Sequence, residues 1–234
     1  MKNKSRFRFV FFFLVLAHIG YTQEPRLKFF EKDPDTIFYE KYAHKKRIPL
    51  GIKQQAYIAL SYYPELKDTR ITFRFRKRKT PLTSRPRFFS VFLPKHKRAY
   101  VITISTKTKP VLTPILFTAL PYNAQIGVLG HEIGHIVEYK TRSSFQLIGL
   151  AFKISNSAFA DKFEFDTDER TIAHGLGYQL LDWSKYVRQA LGIAAWKGAN
   201  EKLAKGNHPK TNQRYMNPET IEKYIATYTK YSKE

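Results

Sequence analysis

No cysteine occurs among the 234 residues, so the chain has neither a disulfide framework nor a thiolate to serve as a metal ligand. Acidic residues are scarce, 19 Asp and Glu against 41 Lys and Arg, for a formal charge of +22. No apolar run approaches the ~20 residues needed to span a bilayer. Internal repeats are absent, as are a glycine-rich nucleotide loop and a Ser/His/Asp arrangement. No RNA- or DNA-binding motif accompanies the positive charge, so specific nucleic-acid recognition is not expected.

What is present begins with a leader. Lys2, Lys4, Arg6 and Arg8 precede the apolar run Phe9 to Leu16, and short residues follow around Gly20 to Thr22. This is the pattern of a signal peptide over 1–22, with cleavage before Gln23, and it predicts export to a periplasmic or extracellular setting. Without the leader's four basic residues, 37 of the 41 Lys and Arg remain against 19 acids, for +18. Much of the excess lies between Arg70 and Arg98, including Arg76-Lys77-Arg78-Lys79. A field of this sign draws anionic surfaces or polymers, although Ile71 to Arg76 alternates apolar and polar as a half-solvated strand also would. Residues 23–234 are long enough for one domain.

The segment Tyr122 to Tyr139 carries apolar residues at helical spacing and contains His131-Glu132-Ile133-Gly134-His135, an HExxH pattern. Positions four apart stack on one helix face, so both imidazoles can reach one metal ion. Glu132 lies beside the first ligand, where it can take a proton from a metal-activated water. Leu129, Ile133, Ile136 and Val137 make this helix largely buried, which also suits two core histidines bonded to carbonyls.

A catalytic zinc site uses three protein ligands and one open position. Downstream, Glu164 and Asp168 are again four apart on a helical stretch that runs to about His174 and stops at Gly175. Glu164 is the candidate third ligand. Asp168 is the candidate acceptor for the free ring N–H of a ligating His. Asp161 to Glu164 also has capping-box spacing, which would make Glu164 a helix-start acid instead.

HExxH followed by Glu-x-x-x-Asp on a later helix resembles the gluzincin metallopeptidases. Phe163 to Asp168 is similar to the corresponding motif of the prenyl-protease-like peptidases and their soluble relatives, the minigluzincins. The resemblance covers roughly Tyr57 to His174. It implies a zincin-like fold, one Zn2+ per chain held by His131, His135 and Glu164, Glu132 as general base and Asp168 behind a ligand. The chain departs from the integral-membrane members in lacking their transmembrane helices. A metzincin reading fails, because Glu138 and Thr141 stand where a Gly and a third His belong.

The remaining pattern predicts an α+β domain with a small mixed sheet of about three strands packed on the active-site helix and several further helices. Glu24 to Lys46 has no period, and 23–46 is a possible arm. Ile52 to Tyr63 reads as an amphipathic helix. Strands are expected at Arg70 to Arg76, Arg87 to Leu93 and Arg98 to Thr106, with Lys77 to Pro86 a hairpin loop. Pro121 is placed to open the metal helix at its first turn. Ser143 to Ser155 is expected as a core helix, Gly177 to Ala190 as another, and Asn217 as the cap of a last one within a helical extension over 195–234. Gly198 to Arg214 reads as a loop, or as a short helix followed by a loop.

By the same resemblance, a peptide or protein substrate lies as an added strand on the sheet edge, here Ala99 to Ser105. Tyr178, His174, His208 and Tyr215 are candidates to steady the oxyanion. The expected activity is zinc-dependent hydrolysis of peptide bonds outside the cytoplasm. The alternative is an exported binding protein with a retained zinc site whose basic surface holds an anionic partner.

Overall fold

In the computed structural model, which describes residues 23–32, 40–192 and 215–232, the alternating sequence Arg70–Arg76 forms the strand β2. It pairs in parallel with β1 (Lys46–Arg47) on one side and with β4 (Ala99–Ser105) on the other. The fourth strand, β3 (Leu82–Pro86), runs antiparallel to β4, and the order across the sheet is β1-β2-β4-β3. The chain is therefore α+β, with a four-stranded mixed sheet among the described residues.

Two of the strand expectations need correction. Arg87 to Leu93 is not a strand: Phe88–Phe92 coils into a 3-10 turn, fixed by the Ser90 hydroxyl donating to the carbonyls of Arg87 and Ala99. The missing strand, β3, lies inside the expected loop. Its polar sequence carries no apolar alternation, and pairing with β4 rather than local propensity decides its state. Its bounding prolines are tolerated because it is an edge. The second correction follows: Ala99 to Ser105 is not the edge. β4 sits between two strands, and every residue from Tyr100 to Ser105 is buried, as central strands are.

The helix α1 (Lys53–Ser61) is buried from Ala56 onward and so is a core element rather than a surface amphipathic one. The longest helix among the described residues, α2 (Tyr122–Thr141), is buried almost continuously from Asn123 to Ile136. It packs against α1, against β3, and against α4 (Ser157–Thr171) and α5 (Gly177–Ala190). Pro121 is its N-cap, one position before the helix. The α2–α5 crossing is close because of Gly127, where a Cβ would fall 2.2 Å from the Gln179 carbonyl oxygen. α4 starts at a side-chain cap, Asn156 accepting from the Phe159 N–H. It ends in a wide turn at Ile172–Leu176, where Gly175 adopts φ 107°. That left-handed angle suits glycine, and a Cβ there would meet the Tyr62 ring at 3.0 Å.

Between them, α3 (Ser144–Lys153) opens with a Ser143–Gln146 capping box. It is not the core helix expected: Leu147 and Leu150 are buried, but Phe145 and Phe152 stand in solvent. α6 (Pro218–Thr227), capped by Asn217, packs on α5 around Phe165, Leu180, Met216 and Ile221. In the first described segment Phe29 is buried, its N–H donates to Asn123 Oδ1, and the Arg26 carbonyl accepts from Gln179. No helix among the described residues is long and apolar enough to cross a membrane. The expected leader at 1–22, His208 and the expected loop or short helix at 198–214 lie outside the described residues.

Candidate metal centre

His131 and His135 lie one turn apart on α2, and both rings project toward α4 because the helix buries that face. The backbones can approach there since Gly134 places no side chain against Thr167 and Thr171. Glu138 on α2 binds Arg170 on α4 at 2.7 Å, and Tyr63 of the α1 end donates to the Gly130 carbonyl at 2.7 Å.

Glu164 meets both imidazoles with one oxygen. Its Oε2 lies 2.9 Å from His131 Nε2 and 3.1 Å from His135 Nε2. One donor atom from each of the three residues falls within 4.8 Å of the others, a group that could hold a metal ion. Glu164 is the eighth residue of a helix capped at Asn156, so the helix-start role open in the sequence does not apply.

The far ring nitrogens are also held. Asp168, fully buried, places Oδ1 2.7 Å from His131 Nδ1 and accepts the Met216 N–H on Oδ2 at 2.8 Å. Thr167 Oγ1 lies 3.1 Å from His135 Nδ1 while its hydroxyl donates to the Phe163 carbonyl. Both acceptors thus take a proton from Nδ1, which assigns each Nε2 to the shared centre. Thr167 was missed from sequence, although its position beside Asp168, three residues after Glu164, carries the signal.

Charge at this centre is strongly coupled. Burial alone would lower the His131 pKa, but Asp168 and Glu164 outweigh it and push it up to about 10 in the metal-free protein. Burial works to raise the Glu164 pKa and is outweighed by the two histidines, which hold the carboxyl well below its ordinary range. Glu132 differs: burial raises its pKa, partly offset by His135, His131 and the Ser84 hydroxyl. It is 7% exposed, and its Oε2 makes no hydrogen bond among the described residues. A buried, unsatisfied carboxylate oxygen beside two nitrogen donors and one oxygen donor fits a site that receives a cation and a polar reactant.

Of the oxyanion candidates, Tyr215 is brought to the centre. Its ring lies 5.5 Å from His131 and 5.2 Å from Trp183, which itself lies 5.9 Å from His131. Trp183 was not anticipated; nothing in its helical spacing marks it. Tyr178 packs against Tyr231 instead. His174 stacks on Tyr63 at 4.3 Å and bonds Glu65 at 2.8 Å, away from the metal group. No family model matches the chain, and the comparisons with curated proteins and with solved structures find no match either.

Proposed function

We propose that this chain is an exported zinc-dependent peptidase of the gluzincin type, with one zinc held by His131, His135 and Glu164. The observation that carries the reading is the convergence of two imidazole Nε2 atoms on one Glu164 oxygen, with buried Glu132 on the same helix. Zinc, when bound, would polarise a scissile carbonyl and bring the pKa of a water toward neutrality.

The protein's own groups do the rest. Glu132 takes the proton of the attacking water and passes it to the leaving amine. Its burial makes it a stronger base than an exposed glutamate. Asp168 and Thr167 keep both rings in the tautomer that leaves Nε2 free. Tyr215 is the candidate hydroxyl for the developing oxyanion. The substrate edge moves from Ala99–Ser105 to β3, which α2 holds through the Tyr139 hydroxyl donating to the Ser84 carbonyl at 3.3 Å. An extended peptide added there would be bound by main-chain hydrogen bonds with little sequence preference.

The test is hydrolysis of a mixed peptide library by zinc-loaded protein, read by mass spectrometry beside the Glu132→Gln variant. Cleavage by the wild type alone supports the reading. Equal absence of cleavage in both, with metal retained, contradicts the reading and favours the alternative, an exported binding protein with a retained zinc site that holds an anionic partner.

A further inference from the structure

Helix α3 turns its largest side chains outward. Phe145 and Phe152 are 86% and 75% exposed and Ile148 is 40% exposed, while Leu147 and Leu150 anchor the opposite side. Positions 145, 148 and 152 share one stripe of the helix. Against the start of α3 lies the 3-10 turn Phe88–Phe92, in which Phe88, Phe89 and Phe92 are also mostly exposed. The two segments are pinned together. Buried Arg98 donates to the carbonyls of Leu93 and Arg142 and to Ser144 Oγ, and the Ser144 hydroxyl donates to the Val91 carbonyl at 2.7 Å. Six large apolar side chains thus stand exposed on two segments held against each other, a cluster rather than single scattered exposures.

Charge indicates what it meets. No Asp or Glu occurs between Asp68 and Glu132, or between Glu138 and Asp161, and both parts of the patch come from these acid-free stretches. Arg87, Lys95, His96 and Lys97 flank the turn and Lys153 ends α3, all exposed. The nearest acid in sequence, Glu138, is already paired with Arg142 and Arg170. A second copy would oppose positive charge with positive charge. An anionic bilayer satisfies both features: phenylalanine rings enter the acyl boundary while lysine and arginine stay among the headgroups.

We propose that the outer face of α3 and the Phe88–Phe92 turn form a docking surface for an anionic lipid bilayer. The contact is interfacial, because a ten-residue helix is too short to span. From this surface a line of rings leads inward. Lys153 Nζ lies 6.0 Å from the Phe159 ring, Phe159 is 6.3 Å from Phe163, and Phe163 stacks on His135 at 5.0 Å. Docking would therefore hold the metal centre close to the lipid surface. The proposal stands whether or not the centre is a peptidase.

The absence of native cysteine allows a site-specific test in the full chain. Gly149, whose Cβ direction is open on the same face, is changed to Cys (Gly149→Cys) and labelled with an environment-sensitive fluorophore; Gly51→Cys, equally open and outside the patch, is the control. Vesicles of phosphatidylglycerol and phosphatidylcholine should shift the position-149 label to the blue and expose it to a lipid-borne quencher, with position 51 unchanged. Pure phosphatidylcholine should bind at least ~10-fold more weakly. Adding Phe145→Ser and Phe152→Ser should abolish the shift, while binding through the N-terminal apolar run would not move this local signal. A position-149 label indifferent to anionic vesicles overturns the proposal. So does a shift that follows protein concentration without lipid, which would make the face a contact between copies.

Discussion

Asp168 holds His131 from behind, with Oδ1 2.7 Å from Nδ1, while its other oxygen accepts the backbone N–H of Met216. One carboxylate therefore fixes the ring that faces the metal position and anchors the chain that carries Tyr215 to it. Asp168→Asn is expected to weaken metal binding or activity by ~10–100-fold, because the amide can present its N–H side to one partner and lose it. Glu164→Gln should weaken metal binding more than Asp168→Asn does. Competition against a chelator of known affinity ranks the two; the reverse order contradicts the assignment of Glu164 as ligand.

Glu132→Gln is expected to retain metal and fold yet lose at least ~100-fold in turnover, since an amide cannot accept the proton of the attacking water. Tyr215→Phe should lower kcat by ~10–100-fold with KM little changed, as expected of a group that acts on the transition state. Steady-state kinetics on any peptide the wild type cleaves decides both. Wild-type rates in Glu132→Gln would remove it as the base.

The raised pKa of His131 gives the metal-free protein a definite pH response. Its folded value of about 10 lies above the ordinary 6.5, so its stabilising share is complete below pH 6.5 and is lost as pH rises toward 10. Over that window the thermal midpoint of the metal-free protein should fall. A metal must displace the same proton, so affinity should rise with pH, by at most ~10-fold per unit for one proton released. Calorimetry in buffers of different ionisation enthalpy counts the proton. A flat affinity between about pH 6.5 and 8.5 would contradict the raised pKa of His131.

Two glycines of helical conformation should respond oppositely to alanine. At Gly127 the added methyl would meet the Gln179 backbone at 2.2 Å, so Gly127→Ala is expected to destabilise by ~3 kcal/mol through the α2–α5 crossing. At Gly149 nothing lies within 4 Å, and Gly149→Ala should stabilise by ~0.5–1 kcal/mol. Urea midpoints measure both. A neutral Gly127→Ala would mean the helices do not cross so closely.

The α+β class and most helices were legible because their signals are local: Pro121 before α2, the Asn217 cap, and Gly175 where the chain turns with positive φ. The i, i+4 spacings in α2 and α4 put His131 beside His135 and Glu164 beside Asp168 without any tertiary information. The rest depended on contacts distant in sequence. β3 is a strand because β4 pairs with it, α3 is exposed although its composition reads as core, and Trp183 reaches His131 only through the packing of α5 on α2. Periodicity reports which face of a helix is apolar, not whether anything covers it.

The central claim is a single metal ion bound by His131, His135 and Glu164, and elemental analysis of the purified protein tests it most directly. The account predicts one zinc per wild-type chain, a full complement in Glu132→Gln, and loss of most of the metal in His131→Ala and His135→Ala, since two remaining ligands hold zinc poorly against solvent. Full zinc in His131→Ala, or none in the wild type after incubation with zinc, would contradict it.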